Sequence, residues 1–186
     1  MTFRRFLLLS MSTLLLAGAW QAKADTNSEQ GPPPIRRLFG VELGTRVTEY
    51  EALGQGIVEA GLGTPEWIQP IEPPEKNDLF DRYEAIYNPE TLEVYQISAK
   101  RSMSKAQCRS IIPILYQEII KKYQGYKILQ SEEYVVVDWR RGGYGLFPYQ
   151  IQCVSDELRI WVFDENARGE HVKNNKNRSP ISPSGL

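Results

Sequence analysis

An α+β fold is predicted for this sequence: a single antiparallel sheet packed against one long and one short helix, in the order β-α-β-β-α-β-β-β, with one disulfide. Three observations predict it. Residues 104–123 repeat apolar side chains at helical spacing. Short strand-like runs joined by turn-forming residues flank that stretch on both sides. Two cysteines, Cys108 and Cys153, fall at inward positions of the helix and of one strand. The 186 residues carry 22 basic and 23 acidic side chains, with 41% hydrophobic and 24% charged residues. That balance excludes collagen-like, disordered and multi-span membrane classes. It also excludes a strongly basic nucleic-acid binder, since no surplus of positive charge is present to neutralise phosphates.

The N-terminus reads as an address. Arg4 and Arg5 precede an apolar stretch from Phe6 to Trp20, followed by Ala22-Lys23-Ala24, the plan of a secretory signal peptide over residues 1–24. The stretch is shorter than the roughly 20 residues that span a bilayer as a helix, so no stable membrane anchor is expected after cleavage. Loss of Arg4, Arg5 and Lys23 takes the formal charge from −1 to −4, because residues 1–24 contain no acid. Residues 25–34 end in three prolines and read as a flexible lead-in. Residues 35–166 hold enough apolar sequence for one domain. Residues 167–186 are asparagine-rich and polar, and are expected to form a disordered tail.

Within the domain, residues 35–43 read as a first strand closed by Gly44. Thr48 and Glu51 have capping-box spacing, with Val47 as hydrophobic staple, and predict a short helix carrying Tyr50, Leu53 and Ile57. Gly61 to Pro74, with four prolines around Trp67, reads as a surface loop. Residues 82–87 and 92–100 are strand candidates joined by Asn88-Pro89-Glu90-Thr91. Ser104 and Gln107 then form a second capping box. Cys108, Ile111, Ile112, Leu115, Ile119, Ile120 and Tyr123 make one helix face, opposite Lys105, Arg109, Glu118, Lys121 and Lys122. Gly125 is placed to end this helix, and Pro113 to kink it. Part of residues 126–139, then 148–154 and 158–163, complete an antiparallel meander. This helix-then-hairpin order is similar, in coarse topology, to small envelope modules such as β-lactamase-inhibitor-like domains.

Cys108 lies on the apolar helix face, and Cys153 shares a strand face with Tyr149 and Ile151. In an exported chain this pair predicts a structural disulfide. No C-x-x-C motif supports a redox thiol, and two cysteines with one histidine do not make a metal site. No cofactor is expected. His171 falls in the expected tail, without neighbours to hold it as a catalytic base. Glu132, Glu133, Asp138, Asp164 and Glu165 are the acids available for glycoside chemistry, which needs two carboxylates at a set separation. Trp67, Trp139, Tyr144, Tyr149 and Trp161 are the aromatics available for stacking. Arg140-Arg141-Gly142-Gly143-Tyr144 reads as an exposed hairpin loop, and with Trp67 it supplies residue types that dominate interface energetics.

The expected function is therefore an exported, non-catalytic protein-binding module, periplasmic or secreted, such as an inhibitor, immunity or envelope accessory protein. Its expected binding residues are Trp67, Arg140, Arg141 and Tyr144. Its expected partner is another exported or envelope protein and not nucleic acid. The alternatives are a cell-wall hydrolase using paired carboxylates and a sugar or small-ligand binder using the aromatics. N-terminal sequencing of secreted material should begin at Asp25. A membrane fraction retaining Met1 would reject the cleavage site.

Overall fold

The computed structural model describes residues 32–60, 64–138 and 148–175. The leader, most of the lead-in, Trp139 to Phe147 (with Arg140, Arg141 and Tyr144) and residues 176–186 lie outside the described residues. The α+β class holds: the described residues form two α-helices and a large antiparallel sheet, with one disulfide.

The first predicted strand is a small hairpin, β1 (Arg37–Leu38) and β2 (Val41–Glu42). Phe39 and Gly40 form its two-residue turn with φ of 53° and 79°, the left-handed pair that matches strand twist. A Cβ on Gly40 would meet Pro74 Cβ at 2.8 Å, so glycine is required there by space as well as by φ. The predicted helix after Thr48 does not form. A single 3-10 turn, Val47–Glu49, is followed by the short strands β3 (Glu51–Ala52) and β4 (Ile57–Ala60). The cause is tertiary. Gly44 and Val47 donate to the carbonyls of Val94 and Leu92, and Thr45 accepts from Val94 N–H, which draws this segment out as extended chain.

The predicted proline-rich loop is also corrected, because most of it is β5 (Pro65–Glu72). β5 pairs with β4 over Pro65 to Ile68 and with β3 over Ile71 and Glu72, both on one edge. Pro65 therefore opens the strand, and Pro70 falls in the gap between β4 and β3. Those are positions where a missing N–H costs little. β6 (Arg82–Tyr87) and β7 (Val94–Ser102) follow as the predicted hairpin, with Leu92 at φ 63° in its turn.

Helix α1 (Lys105–Lys122) bears out the sequence reading most closely. Ser104 Oγ accepts from Gln107 N–H, the Gln107 side chain accepts from Ser104 N–H, and Gly125 beyond the C-terminus has φ 87°. Pro113 lies on the exposed side, within a helix that continues to Lys122. β8 (Lys127–Gln130), β9 (Tyr134–Asp138), β10 (Tyr149–Val154) and β11 (Glu157–Phe163) then form a four-stranded meander. β11 returns to pair with β7, giving nine strands in the order β3-β5-β6-β7-β11-β10-β9-β8, with β4 also on β5. α1 thus carries the chain from β7 to the far edge at β8. Its length of about 27 Å suits a crossing of four strand spacings, roughly 19 Å.

One sheet face is the core. Cys108, Ile112, Ile119 and Tyr123 of α1 pack on Ala85, Ile97, Val162, Tyr149 and Val137, which form one row across the strands, and on their neighbours Ile151, Ile160 and Val135. Leu38 and Val41 of the first hairpin close the same core. The disulfide joins Cys108 to Cys153 of β10, at a Cα separation of 5.8 Å.

The expected tail is corrected over its first residues. Glu165–Asn175 is a second helix, α2, and His171 is 1% exposed. Asp164 Oδ1 accepts from the N–H groups of Asn166 and Ala167, which caps it. The missed signal was local: an aspartate cap, Glu165 in the first turn and Lys173 in the last.

The 45-residue separation of the cysteines corresponds to about 4 kcal/mol in the chain-entropy model. Replacing both by alanine should lower unfolding free energy by a value of that order in denaturant titration. The native protein should show no alkylatable thiol before reduction.

Candidate functional site

The second face of the sheet is chemically different from the first. Across strands, Glu84, Ser98, Trp161 and Gln150 are register partners in one row. The next row runs Arg82, Lys100, Arg159, Gln152 and Tyr134. This is the polar half of the alternation that puts Leu158, Ile160 and Val162 into the core. A groove of about 240 Å³ lies on this face, with Ile68 and Ile86 in its lining and Trp161 and Phe163 along one side.

Its charges are already paired. Lys100 Nζ sits 2.6 Å from the Glu84 carboxylate, which also accepts from Ser98 Oγ at 3.2 Å. At the other end Arg168 of α2 meets Glu66 at 3.2 Å and lies over the Phe163 ring. Beside the groove, Arg82 Nη2 donates to Glu157 at 2.6 Å, and Arg159 Nε donates to the other Glu157 oxygen. Partial burial pushes the Glu157 carboxyl up, but Arg159 and Arg82 outweigh it and hold the group below the ordinary glutamate range.

α2 closes one end of this face. Asp164 N–H donates to Tyr95 O, the His171 ring stacks on Tyr95 at 5.2 Å, and His171 Nε2 lies 3.0 Å from Pro65 O. Tyr95 reaches α2 because β7 carries one extra residue against β6: Ile86 pairs with Gln96 but Tyr87 with Val94. That bulge turns Tyr95 onto the side of Ile68 and Ile86. Burial, reinforced by Glu66, pushes the Tyr95 phenol well above its ordinary pKa, against a smaller opposing effect of Arg168. Tyr95 Oη and Arg168 Nε are buried without a hydrogen-bond partner among the described residues.

The residues singled out from sequence are dispersed. Trp67 lies on β5, not on a loop, between Val58 and Tyr87 in register and edge-on to His171 at 5.8 Å. Tyr149 is core, packed edge-on against Tyr123. Trp161 alone of the described candidate aromatics borders the groove. Among the acids, Glu133 is held by Lys105 at 2.8 Å and by Arg109, and these two cations lower its pKa. Asp164 caps α2 and pairs with Arg36 at 3.1 Å. Asp138 is buried at the end of β9, in register with Lys127. Among the described residues no group of three or more His, Cys, Asp or Glu side chains is placed to hold a metal ion, and no helix is long and apolar enough to cross a membrane. No protein-family model, curated protein or solved structure matches the chain.

The sequence reading missed Glu84, Lys100 and Arg168 as site residues. Alternation marked Arg159 and Trp161 as one strand face, but only the strand order shows which charges lie beside them.

Because the folded pKa of Glu157 lies below its unfolded value, the stabilisation is complete above the ordinary glutamate range near about 4.3. It is lost as pH falls through the folded value. Thermal unfolding followed from neutral to acidic pH should show this loss, and Glu157→Gln should flatten that acid limb relative to the unsubstituted protein.

Proposed function

We propose that the chain is an exported, non-catalytic protein-binding module that recognises another exported or envelope protein through the second face of its sheet. The observation that carries this reading is Trp161, half-buried beside Arg159 and set among ion pairs formed within the chain itself. Tryptophan and arginine are the residue types that most often anchor interfaces. Pairs already formed before binding need less ordering on contact and leave fewer charges to desolvate alone. The engagement of Glu133 with Lys105 and Arg109, which lowers its pKa, supports binding over acid catalysis at that residue, since a proton-donating carboxyl needs a raised pKa. Export rests on the leader pattern, and the disulfide is compatible with it. Arg140, Arg141 and Tyr144, on the segment between β9 and β10, are proposed as further contacts on the strength of residue type.

The experiment is affinity capture from an envelope extract with the unsubstituted protein and with Trp161→Ala, followed by titration of the partner. Trp161→Ala should cost about 2 kcal/mol or more of affinity with little change in melting temperature. Turnover of purified peptidoglycan, abolished by Glu133→Gln or Asp138→Asn, would replace this reading with the hydrolase.

A further inference from the structure

Six large apolar side chains are exposed among the described residues, and three of them crowd into six consecutive positions: Leu53 at 51%, Ile57 at 45% and Val58 at 50%. All three belong to the strip formed by β3, β4 and the turn between them. β4 hydrogen-bonds to β5 on one side, and among the described residues no strand pairs with its other side. Alternate N–H and C=O groups of such a strand point away from the sheet and are open to another chain. Exposed edges are ordinarily blunted by lysine, proline or a bulge. The opposite edge has such a guard, since β8 begins with exposed Lys127. β4 reads Ile57-Val58-Glu59-Ala60, with no lysine, proline or bulge, and its one charge is acidic, a guard that repels acidic but not basic strands.

The same edge is strongly acidic. From Val47 to Glu75 the sequence has six glutamates and neither lysine nor arginine. Glu66, Glu72 and Glu75 are neutralised by Arg168, Lys76 and Arg37. Glu51 and Glu59, exposed on the edge strands themselves, form no ion pair with a described residue.

We propose that the free edge of β4 is an addition site for an extended, basic segment of a partner protein. The segment alternates apolar side chains, laid beside Val58 and Trp67 on one face, with lysine or arginine set toward Glu59 and Glu51 on the other. Backbone hydrogen bonds to β4 supply affinity, and the alternate side chains supply specificity. Charge decides against a second copy of the chain, because edge-to-edge pairing would bring glutamates of both copies together. The edge borders the Trp161 groove, whose lining includes Glu59, but its backbone hydrogen bonds are made by β4 alone, so exchange at residues 57–60 tests it apart from the Trp161 reading.

The test uses the full chain and two synthetic peptides, acetyl-KVKVKVK-amide and its counterpart with glutamate in place of lysine. Hydrogen exchange is read at the amides of residues 51–60, and molecular mass by analytical ultracentrifugation. The basic peptide should slow exchange at Ile57 to Ala60 by about tenfold or more and the acidic peptide should not. Glu59→Lys, an exposed substitution, should remove the preference for the basic peptide. Unchanged exchange with the basic peptide, equal protection by both peptides, or protection without peptide would each overturn the proposal. In that last case a doubled mass would assign the edge to a second copy, and an unchanged mass to another segment of the same chain.

Discussion

The whole arrangement depends on α1 lying across one face of the sheet. β7 and β11 are adjacent strands in space, yet the chain between them must build α1, β8, β9 and β10 before β11 can return. Only a crossing element on the core face permits that order, and α1 is the right length and carries Cys108, Ile112, Ile119 and Tyr123 on the facing side, while Ile120, expected inward from its spacing, is exposed. The Cys108–Cys153 bridge ties the first turns of the helix to β10, so the helix and the meander it launches are fixed as one body. Every apolar row of the core, from Ala85 through Ile97 and Val162 to Tyr149 and Val137, has its partner atoms because α1 stands above it.

That commitment leaves the second face short of cover. One long helix is spent on the first face, and the hairpin β1–β2 joins the same core. Among the described residues, the second face is covered by α2, eleven residues with little apolar surface. It covers only the end of the sheet where Tyr95, Ile68 and Ile86 lie, using His171, Ala167 and Arg168. Beyond α2 the face answers with charge pairs and not with apolar packing. Glu84 with Lys100 and Glu157 with Arg82 pair across strands, and Glu157 with Arg159 within β11, where no described element covers them. This is why the groove on this face, with Trp161 along its side, is bordered by ion pairs.

The distribution of charge adds a second asymmetry. The ply from the 3-10 turn through β5 is acidic at its outer edge, whereas the far edge begins with a lysine. The net charge of −1 conceals this, because the basic residues are gathered elsewhere on the chain. A near-neutral protein can therefore present one edge that attracts cations and one face whose charges are internally cancelled. The two surfaces suit different kinds of contact.

The sequence by itself determined the parts whose local signals agree. In α1, apolar spacing, the Ser104 capping box and Gly125 all specify one helix. In the β6–β7 and β10–β11 hairpins, turn residues and strand pattern coincide, and the cysteine pair followed from those two placements. Tertiary structure decided residues 44–60 and 64–72, and it fixed 165–175 in place beyond the local Asp164 cap. At Thr48 a genuine capping-box spacing lost to backbone bonds from Leu92 and Val94, groups distant in sequence that supply the partners an extended chain requires. Pro65 and Pro70 look like loop residues until β3 and β4 are seen to leave a gap where the second one sits. α2 is too polar to hold itself as a helix by packing its own faces, and it is fixed by His171 against Tyr95 and Pro65. The physical reason is common to these cases. Local pattern decides a segment when its own residues bury its apolar face and cap its ends, and the rest of the fold decides when the hydrogen-bond partners come from elsewhere.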